Sequence, residues 1–177
     1  MKPMLALQVR PGTKDNYTTA IVAPASSAIN SIKNIAKYAV HTKLILVSPG
    51  STSGNLVPRL ALSSVGIAEP EKKFSSVVYG KTHAATIDSV ATGNEALAAM
   101  GSAEYFSFIS KMENKEKIKL VWLSPEIPLG PVLIKKSLDK TIPVVGILAT
   151  VRRMTGRTKF SGDNFNDAKL DTYKREN

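Results

Sequence analysis

The chain has 177 residues, of which 43% are hydrophobic and 21% charged, a composition typical of a globular protein large enough to bury a core. It contains no cysteine, so disulfides, thiolate metal sites and cysteine nucleophiles are excluded. The formal net charge of +10 makes nucleic acid the first partner to consider, but the basic residues are scattered and aromatic residues make up only 6% of the chain, which argues against it.

The N-terminus does not have the pattern of a signal peptide. The apolar run Met4–Leu7 is followed by Gln8 and is too short for the hydrophobic region of a leader. No stretch of about 18 consecutive apolar residues predicts a transmembrane helix. We therefore expect either a cytoplasmic chain or one whose leader has been lost or removed.

Taken in chain order, apolar and β-branched runs alternate with segments of helical spacing. The predicted strands are 5–9, 17–22, 42–47, 74–79, 96–100, 118–123 and 132–134. The predicted helices cover 30–38, 55–65, 84–91, a segment around 105–109, and 138–154. Such alternation predicts a mostly parallel α/β sheet, and ligands of such sheets bind beyond the carboxyl ends of the strands.

A turn rich in small hydroxyl residues, Pro49–Gly54, follows one predicted strand and precedes a predicted helix. The hydroxyls of Ser51, Thr52 and Ser53, together with the unpaired N–H groups of the first helical turn, are suited to an oxyanion. The same residue types are also ordinary helix caps. Taken alone, the pattern leaves both interpretations open.

The wider sequence context favours an anion. No Asp or Glu occurs between Asp15 and Glu69, so we expect a positive potential around the hydroxyl-rich turn. Two further small-residue turns, 81–83 and 101–102, also follow predicted strands. Three turns that converge at one edge of a sheet are better evidence for a ligand than any one of them.

Four segments occur together in the order and spacing of one known family. They are Ser48–Arg59, Val78–Ala85, Thr92–Met100 and Trp122–Pro131. From about residue 16 to residue 136 the sequence resembles the periplasmic phosphonate-binding proteins of ABC transporters, which have the type-2 periplasmic binding protein fold.

The resemblance implies an α/β architecture with one complete three-layer α/β lobe plus part of a second lobe. Residues 24–123 would form the complete lobe, with 1–23 and 124–177 belonging to the other, whose start is missing. The ends of the complete lobe, near Ala23 and Ser124, should then lie close together. An incomplete lobe also favours self-association, because unpaired strand edges attract other chains.

The resemblance also implies a set of ligand-binding residues, namely Tyr17, Ser51, Thr52, Ser53, His83 and Ser102. The serines and threonine of the first turn would bind the phosphonyl oxygens, and the histidine would donate to the same anion. A strand aromatic and a structural histidine are the alternative interpretations of Tyr17 and His83. His41 is better interpreted as a surface residue. The turn around Ser102 carries no carboxylate of the kind with which family members hold an aminoalkyl ammonium group, so recognition of that group is not expected.

The leading functional hypothesis is a solute-binding component of an ABC transporter, and not an enzyme. It would capture a phosphonate, phosphite or phosphate for a transmembrane permease, without a cofactor or a metal. The same resemblance implies a periplasmic or an extracellular, membrane-anchored location. Three alternatives remain: a non-functional fragment, a basic nucleic-acid-binding protein, and an enzyme acting on a phosphate ester. The last lacks a defensible arrangement of catalytic residues in the sequence.

Overall fold

The computed structural model describes residues 2–6, 17–93, 96–111, 113, 116–127 and 131–134. The chain divides into two units, one made of Met1–Lys14 with Pro128–Asn177 and the other of Asp15–Ile127. The boundaries of lobes expected near residues 23 and 124 stay a prediction. The helix predicted over 138–154 lies outside the described residues.

The strands that the structure describes match the predicted ones in number and order. They are β1 (Lys2–Ala6), β2 (Thr19–Pro24), β3 (Lys43–Leu46), β4 (Ser76–Tyr79), β5 (Ala96–Gly101), β6 (Ile118–Leu123) and β7 (Pro131–Ile134). In the smaller unit, β1 and β7 form a two-stranded antiparallel sheet. The other strands form the five-stranded sheet of the larger unit.

The helices of the described residues all belong to the larger unit. They are α1 (Ile35–Tyr38), α2 (Val57–Ser64), α3 (Pro70–Lys73), α4 (His83–Thr92) and α5 (Ser102–Ser110). Short 3-10 turns flank α1, and a wider turn over Thr52–Leu56 leads into α2. The sequence did not predict α3, a single turn whose proline stands at the first helical position. The end of α2 was predicted correctly, because Gly66 follows it with a φ of +86° that favours glycine.

The five-stranded sheet has the order β4-β3-β5-β2-β6 and is mixed. β3 pairs in parallel with β4 and β5, whereas β2 pairs antiparallel with both β5 and β6. The expectation of a mostly parallel sheet is therefore wrong for the half that contains β2. β2 is buried along its whole length, and a fully buried strand has the same apolar pattern in either direction.

Antiparallel pairing also decides where the chain enters and leaves the larger unit. The Thr19 N–H donates to Ser124 Oγ at 2.8 Å, and the Thr19 carbonyl accepts from the Ser124 N–H at 2.9 Å. Ala23 instead pairs with Lys119 at the other end of β2. The chain thus enters and leaves the larger unit at neighbouring points, and the residue paired with Ser124 is Thr19 and not Ala23.

Apolar side chains cover both faces of the sheet, which makes the larger unit a three-layer α/β structure. On one face Ile21 and Leu44 pack against Leu62 of α2. On the other face Val22 packs in a cluster with Ile87 of α4. Complete burial of an aliphatic side chain of this size stabilises a fold by about 1.5–3 kcal/mol. The two cores hold the strand ends, and the turns that follow them, in fixed positions.

Candidate anion-binding site

The three turns singled out in the sequence lie along one edge of the larger sheet. β3, β4 and β5 run parallel, so their carboxyl ends point the same way. The first turn follows β3, the second follows β4, and the third follows β5. Because Thr19 stands opposite Gly101, the start of β2 reaches the same edge.

The first turn, Pro49–Gly54, is held by a hydrogen bond from Val47, the residue that follows β3, and by one within the turn. The Val47 N–H donates to the Gly54 carbonyl at 2.9 Å, and Ser51 Oγ accepts from the Gly54 N–H at 3.0 Å. A Cβ at Gly54 would lie 2.3 Å from Val47 Cγ2, so only glycine fits there without a shift. Ser51 is therefore the N-cap of the helical turn that follows, and within the described residues its hydroxyl accepts a bond and donates none.

The turn continues into α2 through backbone bonds that span five residues instead of four. The Leu56 N–H donates to the Ser51 carbonyl, and the Val57 N–H donates to the Thr52 carbonyl. Such π-type turns are rare and are found frequently at functional sites. Within the described residues, the N–H groups of Thr52 and Ser53 have no acceptor. Two backbone donors at the positive end of a helix thus have no partner among the residues that the structure describes.

The second turn, Gly80–His83, is anchored on the end of β3, just before the first turn. The Gly80 and Lys81 N–H groups donate to the carbonyls of Leu46 and Val47, each at 2.8 Å. The Thr82 N–H donates back to the Gly80 carbonyl, and Lys81 between them has a φ of +72°. This is a strained conformation for a residue with a side chain. The strained residue lies two positions before His83, the histidine that the sequence predicts to bind the ligand.

His83 joins the second turn to the third. Its Nδ1 accepts a hydrogen bond from the Gly101 N–H at 2.9 Å. A ring nitrogen that accepts carries no proton, so the neutral imidazole has its proton on Nε2. The backbone of β5 therefore selects the tautomer of His83 and leaves Nε2–H as a donor.

Ser53 of the first turn also lies beside Gly101. A Cβ built on Gly101 would lie 3.4 Å from Ser53 Oγ and 3.6 Å from His83 Cε1. The Ser53 carbonyl is held by Thr19 Oγ1, which donates to it at 2.9 Å. A series of pairwise contacts thus links Thr19, Ser53, Gly101 and His83, although these residues are far apart in the sequence.

The side chain of Ser102 is buried below the surface of this edge. It is 1% exposed, and its Oγ stands 2.5 Å from the Thr18 Oγ. Its backbone N–H donates to the Thr18 carbonyl at 2.9 Å. Tyr17 precedes Thr18 in the chain and is half-buried. Its carbonyl accepts a hydrogen bond from the Ile127 N–H at 2.8 Å. Ser102 and Thr18 therefore join the first residue of α5 to the segment before β2, and so stabilise this edge of the sheet.

Sequence reasoning missed several residues that hold the edge together. Thr18 and Thr19 gave no signal, because their role depends on the antiparallel placement of β2. Asn55 and Arg59 are four residues apart, the spacing of neighbours on a helix face. That spacing could have indicated the hydrogen bond that Arg59 Nε donates to Asn55 Oδ1 at 2.8 Å.

His41, the other histidine of the chain, lies away from the edge. His41 is exposed and precedes β3, so it stands at the opposite end of that strand. In the part of the chain that the structure describes, no group of three or more acidic or histidine side chains could hold a metal ion. Among those same residues, no helix is both long and apolar enough to cross a bilayer.

Solved structures with the same fold are periplasmic binding proteins of the type-2 class. A binding protein component of an ABC phosphonate transporter from Pseudomonas aeruginosa has a TM-score of 0.63 and 22% identity, over 77% of this chain and 47% of that one. PhnD1 from Prochlorococcus marinus, solved in complex with methylphosphonate, has a TM-score of 0.58 and 22% identity, over 72% and 48% of the two chains. A Xanthomonas citri protein solved bound to ATP has a TM-score of 0.64 and 18% identity, over 88% and 59%. The chain thus spans between 47% and 59% of the length of these structures.

The family itself is identified by sequence. The family described as "ABC transporter, phosphonate, periplasmic substrate-binding protein" matches residues 2–151. The chain belongs to this family of solute-binding transporter components, which are not enzymes. The family resemblance inferred from the four motifs is therefore confirmed, as is the α/β class of the fold. No curated protein matches the chain.

Proposed function

We propose that this chain captures a small phosphorus oxyanion, a phosphonate, phosphite or phosphate, for delivery to the transmembrane permease of an ABC transporter. One observation carries the proposal. The N–H groups of Thr52 and Ser53 have no acceptor within the described residues, Ser53 lies beside Gly101, and the Gly101 N–H orients the ring of His83 from another turn. The function follows from what such a group of donors can hold.

A tetrahedral oxyanion requires several donors that converge on its oxygens. The edge offers two backbone N–H groups, the hydroxyls of Ser51, Thr52 and Ser53, and Nε2–H of His83. Each hydrogen bond to a charged group contributes about 1.5–3 kcal/mol. The N-terminal end of α2 adds a positive partial charge. The anion is thus held by fixed dipoles, which need little rearrangement when it binds.

The ligand class that we favour has no ammonium group. The third turn, Gly101-Ser102-Ala103, supplies no carboxylate to pair with one. Methylphosphonate, the ligand named for PhnD1 of Prochlorococcus marinus, has the required tetrahedral oxyanion and no cationic group. Phosphite and phosphate share the same oxygen geometry.

The two remaining candidate residues have different proposed roles. Ser102 is buried with Thr18 and would act by supporting the edge. Tyr17 is half-buried, lies two residues before β2, and would contact the substituent of the ligand. By family, we propose that the protein acts in the periplasm or tethered outside the membrane. Self-association and the exclusion of nucleic acid stay predictions.

The test is isothermal titration calorimetry of this chain with methylphosphonate, phosphite, phosphate, sulfate, 2-aminoethylphosphonate and ATP. ATP belongs in the panel because the Xanthomonas citri protein of the same fold was solved with it. We expect binding of one or more of the first three, with sulfate and the aminoalkyl ligand weaker. Turnover of the ligand is not expected.

The control is a triple variant in which Ser51, Thr52 and Ser53 are all alanine. If it binds as well as the natural chain, the turn is only a helix cap and the proposal is wrong. A chain that binds none of the probes would favour the non-functional alternative. Replacing His41 with alanine should leave the affinity unchanged, because that residue lies at the opposite end of β3.

A further inference from the structure

Arg59 is the centre of a network of side-chain hydrogen bonds that leads to the first turn. Arg59 is on α2, and its Nη1 and Nη2 donate to the two carboxylate oxygens of Glu71 at 3.1 and 2.5 Å. Its Nε donates to Asn55 Oδ1 at 2.8 Å. The guanidinium is thus held on two sides at once, in the two-pronged geometry that arginine forms with carboxylates.

Asn55 connects this network to the hydroxyl-rich turn. It is 4% exposed, and its Nδ2 donates to the Pro49 carbonyl at 2.6 Å. An unbroken series of hydrogen bonds therefore runs from Glu71 through Arg59 and Asn55 to the residue that opens the turn. Removing one partner of a buried amide leaves a polar group unsatisfied and destabilises the fold, so each member of the series holds the next in place.

Arg59 also reaches the strand that leads to the second turn. Its Nη2 lies 3.4 Å from the hydroxyl oxygen of Tyr79, the last residue of β4. Gly80 follows directly and begins the turn that ends at His83. One guanidinium therefore contacts the supports of both turns that carry the proposed anion donors.

We propose that Arg59 and Glu71 are positioning residues that hold the Pro49–Gly54 turn and the Gly80–His83 turn at the spacing an oxyanion needs. This inference rests on the function proposed above. The guanidinium of Arg59 is paired with Glu71 at two contacts. We therefore expect its charge to hold the two turns in place and not to bind the ligand. Arg59 acts through Asn55 and Tyr79 without touching the anion.

The sign of one substitution separates positioning from simple electrostatics. Glu71→Ala removes a negative charge near an anion site, which strengthens anion binding if charge alone matters. If Glu71 holds Arg59 in place, the same substitution weakens binding. We expect the affinity of Glu71→Ala for methylphosphonate to fall by about threefold to tenfold, with Glu71→Gln intermediate because its amide oxygen still accepts one bond.

Glu69→Ala is the matched charge control. Glu69 lies two residues away, is exposed, and pairs with Lys72 at 2.5 Å, outside the network. Its removal changes the net charge by the same amount, so affinity should stay equal or rise slightly. Arg59→Lys should bind as weakly as Glu71→Ala, because a lysine ammonium cannot form the fork that joins Glu71 and Asn55.

A second readout needs no ligand. Hydrogen exchange of the Gly54 and Leu56 N–H groups reports opening of the first turn. We expect about tenfold faster exchange in Glu71→Ala and no change in Glu69→Ala, with the same circular dichroism in both. Equal or tighter anion binding by Glu71→Ala, or unchanged exchange, would overturn the inference. If the natural chain binds no oxyanion, the proposed function fails, and the exchange rates alone then decide whether the network holds the turn.

Discussion

The backbone N–H of Gly101 donates a hydrogen bond to Nδ1 of His83 at 2.9 Å. This contact joins two turns that are 18 residues apart in the sequence. It also leaves Nε2–H as the donor of the neutral ring, because Nδ1 is occupied as an acceptor. A ring that is held in this way is oriented before any ligand arrives, which reduces the cost of binding.

Two substitutions of His83 should separate its two nitrogens. Asparagine places an oxygen near the position of Nδ1, so His83→Asn keeps the acceptor for Gly101 and loses the Nε2 donor. We expect His83→Asn to weaken oxyanion binding by about tenfold, with little change in the free energy of unfolding.

Glutamine extends its amide towards the position of Nε2 and lacks the Nδ1 acceptor. His83→Gln should therefore retain more affinity than His83→Asn and unfold at a lower temperature. Calorimetry and thermal denaturation of the two variants check this order. A His83→Asn variant with natural affinity would show that Nε2 does not contact the anion.

Neighbouring residues of the first turn should respond differently to removal of their hydroxyls. Ser51→Ala loses the acceptor of the Gly54 N–H and should destabilise the fold by about 1 kcal/mol. Thr52 is exposed and its hydroxyl has no partner within the described residues, so Thr52→Ala should leave stability within about 0.5 kcal/mol.

The affinity of Thr52→Ala should nevertheless fall by about tenfold, because a donor to the anion is lost. Urea denaturation and calorimetry of both variants test this pair. If Thr52→Ala destabilises the fold as much as Ser51→Ala and binds normally, both residues belong to the cap alone.

Two glycines of the same turn provide a steric test. A Cβ at Gly54 would lie 2.3 Å from Val47 Cγ2, whereas a Cβ at Gly50 meets no atom within 4 Å. Gly54→Ala should destabilise the fold by about 1–3 kcal/mol and displace the turn. Gly50→Ala should change stability by no more than about 0.5 kcal/mol. Denaturant unfolding distinguishes them, and equal effects would contradict the described packing of the turn.

The ion pair between Arg59 and Glu71 predicts a dependence of stability on pH. The hydrogen bond from Arg59 holds the pKa of the Glu71 carboxyl below its usual value of 4.5. A carboxyl with a lowered pKa in the folded state stabilises the fold above its unfolded pKa, and this stability is lost as the pH falls through the folded value. Glu71 has 57% of its side chain exposed, so solvent screening limits the contribution to about 0.2–1 kcal/mol.

The measurement is urea denaturation of the natural chain and of Glu71→Gln between about pH 3 and pH 7. The difference in free energy of unfolding should be constant near neutral pH and shrink below about pH 4.5. A difference that does not vary with pH would mean that the ionised carboxyl of Glu71 does not stabilise the fold.

Local sequence was sufficient to predict the elements that carry the site. Small hydroxyl residues after an apolar run predicted the turn at Ser51, and capping chemistry predicted its junction with a helix. The order of four motifs predicted the family, which the match over residues 2–151 confirms. The turn and its helix cap depend on neighbours within a few residues, and the family depends on the order of motifs along the chain, so the sequence determines both directly.

Tertiary structure decided the direction of β2 and everything that depends on it. A strand that is buried on both faces has the same apolar pattern whether it pairs in parallel or antiparallel. The sequence therefore could not show that Thr19 stands opposite Gly101. That register brings Thr19 to the Ser53 carbonyl and Thr18 to Ser102. The tautomer of His83 and the position of Arg59 behind the first turn were likewise set by contacts between distant residues. Hydrogen bonds of this kind have no sequence period, because they follow from the pairing of whole strands and not from the spacing of residues along one of them.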